Sequence, residues 1–201
     1  MNTIEATIRN TNTKGEINSL RFKGVIPAIV YGGSTKNQKI SLNKKNINKK
    51  NLICVAPDVG GVERTRALAR KLDIGIAIID KRRPAPGKSQ VMNVIGNVKG
   101  KICIIIDDII DSGGTIVNAA QALINRGAKE VHVYITHGVL SGEAVDRIKK
   151  SRIKKLVITD TIDNSSKIRN AKNIEVLTIS NLLAEAIKRI SNSTSVSDLF
   201  K

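Results

Sequence analysis

The chain has 201 residues and a formal net charge of +17. Apolar residues make up 41% of it and aromatics only 2%, so any core must be built from Ile, Val, Leu and Ala, in the runs that favour a buried parallel sheet. No apolar run approaches the roughly 18 residues of a membrane span. The polar Met1–Thr11 lacks the apolar stretch of a signal peptide, so a cytoplasmic location is expected.

Cys54 and Cys103 each sit inside an apolar run, without neighbours at metal-ligand spacing, and read as buried thiols. The charge is unevenly spread. Residues 1–50 carry ten Lys/Arg against two Asp/Glu, a net of +8, and residues 51–201 carry 24 against 15, a net of +9. The first segment is therefore far more basic per residue, which suits either a polyanion partner or a solvated basic face.

Two textures meet near residue 50. Before it, Ile4–Ile8, Val25–Tyr31 and Lys39–Leu42 alternate like short β-strands, and Lys44–Lys50 reads as an exposed linker. After it, strands alternate with helices. Leu52–Ala56, Ile74–Ile79, Ile102–Ile106, Val131–Ile135, Leu156–Thr159 and Ile174–Ile179 are expected strands. Glu63–Leu72, Thr115–Arg126, Gly142–Lys150 and Asn181–Ile190 are expected helices. This order implies two domains, residues 1–50 and 51–201, the second an α/β fold with a parallel sheet and helices on both faces.

The most informative stretch is Lys101 to Thr115. A strand is expected to end in Asp107 and Asp108, followed by a short turn and a Gly113-Gly114 step into a helix. Ligands of open parallel sheets sit at the carboxyl ends of strands. A helix N-terminus offers unpaired N–H groups to an anion, and glycines let the backbone approach it closely. Ser112 and Thr115 add hydroxyl donors. The two carboxylates would repel a phosphate but accept hydrogen bonds from sugar hydroxyls. A phosphorylated sugar satisfies both halves. An Asp107 sealed into an interior ion pair would exclude this assignment.

Asp58, after the Leu52–Ala56 strand, suits either a magnesium ligand or the capping of the next helix. Asp80–Gly87 contains two prolines and a glycine and reads as a loop. On an extended chain Lys81 and Arg83 would point the same way, as cations for a transferring phosphoryl group or simply as a solvated basic turn.

The Asp107–Thr115 segment resembles the phosphoribosyl-pyrophosphate-binding motif of the type I phosphoribosyltransferase fold. With Ala56–Gly61, Asp80–Gly87, Thr136-His137-Gly138 and Thr159–Ile162, residues 52–201 resemble the carboxyl-terminal half of ribose-phosphate pyrophosphokinases. The resemblance implies transfer of a diphosphate from ATP to ribose 5-phosphate, giving phosphoribosyl pyrophosphate and AMP. It implies magnesium binding by Asp58, catalysis by Lys81, and a ribose-phosphate contact at Arg83. Asp107 and Asp108 would hold the ribose, and Asp111, Ser112, Gly113, Gly114 and Thr115 its phosphate. No segment before residue 52 resembles that family's preceding α/β domain, which supplies much of the ATP site. Weak or no catalysis by the chain alone is therefore expected, with association into homo-oligomers or with the full-length synthetase as a further role.

Residues 4–47 instead resemble the start of large-subunit ribosomal protein twenty-five, chiefly through Ile26-Pro27-Ala28-Ile29-Val30-Tyr31-Gly32-Gly33. That resemblance implies a β-rich, incomplete barrel segment and a 5S rRNA partner. Arg9, Lys14, Arg21, Lys23 and Tyr31 are the candidate contacts, or otherwise solvated and packing residues. A head from one family thus meets a tail from another near Lys50, as a gene fusion, an internal deletion between neighbouring genes or an assembly error would produce.

Overall fold

The computed structural model describes residues 5–10, 13–30, 38–43, 49–82 and 91–199. The chain divides into two compact units, Met1–Lys50 and Asn51–Lys201.

In the first unit, strands β1 (Ala6–Ile8), β2 (Val25–Val30) and β3 (Gln38–Asn43) form an antiparallel sheet in the order β1-β3-β2. Its register aligns Ile8, Ile40 and Ala28 across the three strands. Helix α1 (Lys14–Phe22), which packs on β2, was not among the expected elements. It is started by a capping box: Glu16 N–H donates to Thr13 Oγ1 at 3.3 Å, and Thr13 N–H donates to Glu16 Oε2 at 3.0 Å.

The second unit holds β4 (Leu52–Ala56), α2 (Val62–Leu72), β5 (Gly75–Arg82), β6 (Val91–Ile95), β7 (Ile102–Ile110) and α3 (Gly114–Asn125). It continues with β8 (Glu130–Gly138), α4 (Ala144–Lys149), β9 (Lys155–Thr159), α5 (Ser165–Ile168), β10 (Ile174–Leu177) and α6 (Ser180–Ser191). The seven strands run in the order β10-β9-β8-β7-β4-β5-β6. All pairs are parallel except β5 with β6. The architecture is that of a type I phosphoribosyltransferase-like α/β fold with one antiparallel edge strand.

Pleat alternation separates the two faces. Ile53, Val55, Cys103, Ile105, Val131 and Val133 join Ile116, Ala119, Ala120 and Leu123 of α3 in one aliphatic core. Cys54, between Ile53 and Val55, points to the opposite face, where α2 packs on β4, β5 and β7. Every core side chain named here is aliphatic, alanine or cysteine, as the composition requires.

Three expectations need correction. β7 does not end before its acids: pairing with β8 continues through Ile109↔His137 and Ile110↔Gly138, so Asp107 and Asp108 lie within the strand. Asp80, Lys81 and Arg82 are not loop residues but the last of β5, paired with Asn93, Met92 and Val91 of β6. β6 itself was missed. It ends at Ile95, just before Gly96, whose φ of 113° favours glycine and where a Cβ would lie 3.0 Å from the Cβ of Ala77. Only a bare backbone can leave β5 so closely there.

Burial raises both thiols, Cys54 to about 11 and Cys103 to about 12, and each side chain is fully enclosed. A thiol reagent at mildly alkaline pH should leave the folded chain unmodified and label two cysteines after denaturation. Labelling of either in the folded state would contradict the described packing.

Candidate functional site

β4 and β7 are adjacent, and their pairing ends at Val55↔Ile105. β4 then turns through Pro57 and Asp58 into α2, while β7 runs on, so Asp107 emerges beside that turn. Asp58 Oδ1 accepts the Gly61 N–H at 2.8 Å, which shapes the entry into α2. The first turns of α2 bring Arg64 over the acids. Its Nη1 lies 2.5 Å from Asp107 Oδ1 and 3.1 Å from Asp108 Oδ1, and the charge of Asp58 also acts on it.

The ion pair is at the surface rather than sealed: the side chains of Arg64, Asp107 and Asp108 keep 38%, 20% and 64% of their exposure. A ligand can therefore reach both carboxylates, though it would meet them already sharing a guanidinium. The hydrogen bond from Arg64 holds Asp108 below the usual carboxylate range, whereas burial pushes Asp107 up.

Beyond β7 the backbone makes the turn Asp111–Gly113. Ile110 O accepts N–H groups of Val139 at 2.9 Å and Leu140 at 3.3 Å. Asp111 O accepts Ser141 N–H at 3.3 Å, and Gly113 O accepts Val117 N–H at 3.0 Å. Ser112 O accepts the Arg147 guanidinium from α4. All four carbonyls are thus engaged.

Gly113 takes the left-handed conformation (φ 75°) that a side chain would strain, and the helical residues after it leave successive amides without carbonyl partners. The N–H groups of Gly114, Thr115 and Ile116 precede the first intrahelical bond, no side chain caps α3, and its first turn has no acid. Neither the Ser112 nor the Thr115 hydroxyl is engaged by a described residue. A Cβ on Gly114 would meet nothing nearer than Ser112 Oγ at 4.0 Å, so that side of the turn is open. Uncapped amides beside a carboxylate pair can bind an anion that carries hydroxyls.

Asp58, Asp107 and Asp108 are brought together around Arg64, with Asp111–Thr115 next along the chain at the start of α3. Lys81 lies three residues past the last β4–β5 pair, Ala56↔Ile78, at the same end of the sheet and exposed. Arg83 and Tyr31 fall outside the described residues, as do the side chains of Lys14 and Arg21. Lys23 is exposed, whereas Arg9 donates from Nε to Ile40 O at 3.0 Å and so braces the small sheet.

Arg64 and Arg147 escaped the sequence reading. Each stands in an arginine- or lysine-rich helix, and only the fold singles it out. His137, exposed at the end of β8, bonds Thr161 Oγ1 through Nδ1 at 2.9 Å, and buried Asn164 ties the next loop to Gly138 O at 2.6 Å. Among the described residues no group of three or more His, Cys, Asp or Glu is arranged to hold a metal.

Residues 83–201 match the phosphoribosyl synthetase-associated domain, and residues 4–74 match the ribosomal L25p family, a match that runs past Lys50 into β4 and α2. The ribose-phosphate pyrophosphokinase of Rhizobium meliloti is 58% identical over 157 residues, which are 78% of this chain and 51% of the relative. That of Hyphomonas neptunium is 58% identical over 172 residues, 85% of this chain and 54% of the relative. The chain spans about half the length of these curated relatives. The crystal structure of phosphoribosylpyrophosphate synthetase from Mycobacterium smegmatis superposes with a TM-score of 0.64 at 35% identity, over 71% of this chain and 46% of that one.

The Arg64 arrangement has a titration signature. Because the folded pKa of Asp108 is depressed, the stability it contributes is present above the ordinary carboxylate range, near pH 4, and is lost as pH falls through the lower folded value. In Arg64→Ala, carboxyl-carbon NMR should show the Asp108 midpoint rising toward the ordinary range. An unmoved midpoint would mean that the guanidinium does not act on it.

Proposed function

Since the chain belongs to the phosphoribosyl synthetase-associated domain family, we propose that its second unit is the ribose-5-phosphate half-site of a ribose-phosphate pyrophosphokinase. The complete reaction joins the anomeric oxygen of ribose 5-phosphate to the β-phosphorus of ATP and expels AMP. In this reading the amides of Gly114, Thr115 and Ile116, with the Ser112 and Thr115 hydroxyls, hold the 5-phosphate. Asp107 and Asp108 accept hydrogen bonds from the ribose hydroxyls and orient the ring. Lys81 stabilises the charge that spreads over the transferring group, and Arg83 adds a phosphate contact.

Asp58 would hold magnesium, which usually takes one or two protein carboxylates and completes its shell with substrate phosphates and water. When bound, the ion neutralises diphosphate charge. Association with full-length synthetase subunits, or with further copies of this chain, belongs to the same reading, since β10 and α6 leave Leu177, Leu183, Ile187 and Ile190 at the surface.

The observation that carries the reading is the Ile110–Gly113 turn, whose carbonyls are all engaged while the amides of α3 stay uncapped beside two acids. Calorimetry on the whole chain should detect ribose 5-phosphate binding. Gly114→Val, whose side chain would fill the open side of the turn, and Arg147→Ala, which releases Ser112 O, should each weaken it by roughly tenfold. No binding by a folded chain would refute the half-site. The chain alone should release little or no AMP from ATP and ribose 5-phosphate, and steady release would show instead that it holds ATP without help.

A second reading concerns residues 1–50. The match of residues 4–74 to the ribosomal L25p family favours 5S rRNA as a partner of this segment, with Lys14, Arg21, Lys23 and Tyr31 as contacts and Arg9 nearer a structural role. A gel shift should then show preference for 5S rRNA over an unrelated RNA of equal length, reduced in Lys23→Gln. Equal affinity for both RNAs would leave only charge attraction.

A further inference from the structure

The sheet of the second unit has a second end, where its parallel strands begin, and this end is cationic. Lys101, Lys129 and Lys154 stand immediately before β7, β8 and β9, three strands adjacent in that order. Backbone bonds hold them in line: Lys129 N–H donates to Lys101 O at 2.8 Å, and Lys154 N–H to Val131 O at 2.9 Å. At about 4.8 Å per strand the row covers roughly 10 Å. Beside it opens a concavity of about 580 Å³, lined by Lys129, Arg152 and Lys154 together with Glu130, Ile124 and Ile153.

Lys129 and Lys154 act through space on the neighbouring Glu130 carboxylate, but helix capping does not account for the cations of this lining. Cations often complement helix C-termini, but the carbonyls there are already bonded. At the end of α3, Gly127 N–H donates to Ile124 O and Ala128 N–H to Leu123 O. At the end of α4, Ile148 O accepts Ser151 Oγ at 2.7 Å and Asn173 Nδ2 at 3.1 Å. The one acid in the lining, Glu130, is bonded to His132 Nε2 at 3.0 Å. The exposed heads of Lys129, Arg152 and Lys154 donate to no described residue. Three cations thus line the concavity with one carboxylate, which His132 engages and on which Lys129 and Lys154 also act, so positive charge remains in excess.

We infer that this rim binds the phosphate backbone of a nucleic acid strand, held through charge and without reading bases. Lysine ammonium groups act as point charges for phosphate oxygens, and the one arginine fork in the lining matches phosphate geometry too. A row of charges matches a linear polyanion better than a compact one. No aromatic side chain lines the concavity, so bases have no stacking platform and sequence goes unread. The rim is independent of the sugar-phosphate reading and of residues 1–50.

Fluorescence anisotropy of the whole chain with a labelled single-stranded oligonucleotide of mixed sequence, over a salt series, tests this. The variant K129Q/R152Q/K154Q should bind about tenfold more weakly, and its slope of log affinity against log salt should be shallower by about 2, at about 0.7 per phosphate contact. R66Q/R70Q/K71Q on α2, with the same loss of charge, should change far less. Arg152→Gln alone should move the slope about a third as far, which serves if the triple variant does not fold. Inorganic tripolyphosphate should compete, and an acidic peptide of equal charge should not. Equal losses in the two triple variants, no loss at the rim, or equal competition by the peptide would overturn the inference.

Discussion

Three consecutive carbonyls, Ile110 to Ser112, are turned toward partners from the β8–α4 side of the second unit, and the next, Gly113 O, closes the first turn of α3. A peptide plane cannot turn its carbonyl one way without turning its N–H the other. Fixing those carbonyls therefore fixes the N–H groups of Asp111 to Gly114 that share their planes, and α3 itself orients those of Thr115 and Ile116, all before any ligand arrives. Preorganisation of this kind lowers the cost of binding, because the ordering of the turn is met by folding. The elements that serve it are remote in sequence. β8 extends to Gly138 so that Val139–Ser141 can dock on the turn, and α4 contributes only Arg147.

The two ends of the parallel sheet carry opposite chemistry. Where the strands exit, Asp58, Asp107, Asp108 and Asp111 gather, with Arg64 offsetting part of their charge. Where β7, β8 and β9 begin, Lys101, Lys129 and Lys154 line up, and the concavity beside them holds one engaged acid, Glu130. On the proposed reading, a phosphorylated ligand would be met at the first end by backbone dipoles as much as by side-chain charge, and at the second end by side-chain charge alone. Binding at the two ends should accordingly differ in sensitivity to salt, since exposed point charges are screened more strongly than short hydrogen bonds from a preformed turn.

The β7–turn–α3 unit was legible because a run of isoleucines, an acid pair and a Gly-Gly step each constrain the backbone locally. The strand's extension through Asp107 and Asp108 was not legible. Carboxylates are poor strand formers, and only pairing with β8 keeps them extended. β5 was cut short for a related reason: the prolines and glycine after Arg82 marked a loop, and the antiparallel partner Val91–Ile95 carries no turn signal of its own. α1 could have been found, since Thr13-Lys14-Gly15-Glu16 has the spacing of a capping box. Arg64 could not, because Arg66 and Arg70 on the same helix look alike in sequence and only packing distinguishes the one that faces the acids.

The aliphatic core has an optical consequence. With no tryptophan and two tyrosines in the whole chain, of which Tyr134 lies on the less covered face of β8, the protein is nearly dark in the near ultraviolet. A purine or a fluorescent nucleotide would be seen against almost no background. Denaturation, by contrast, has to be followed through the peptide bonds rather than through a ring leaving the interior.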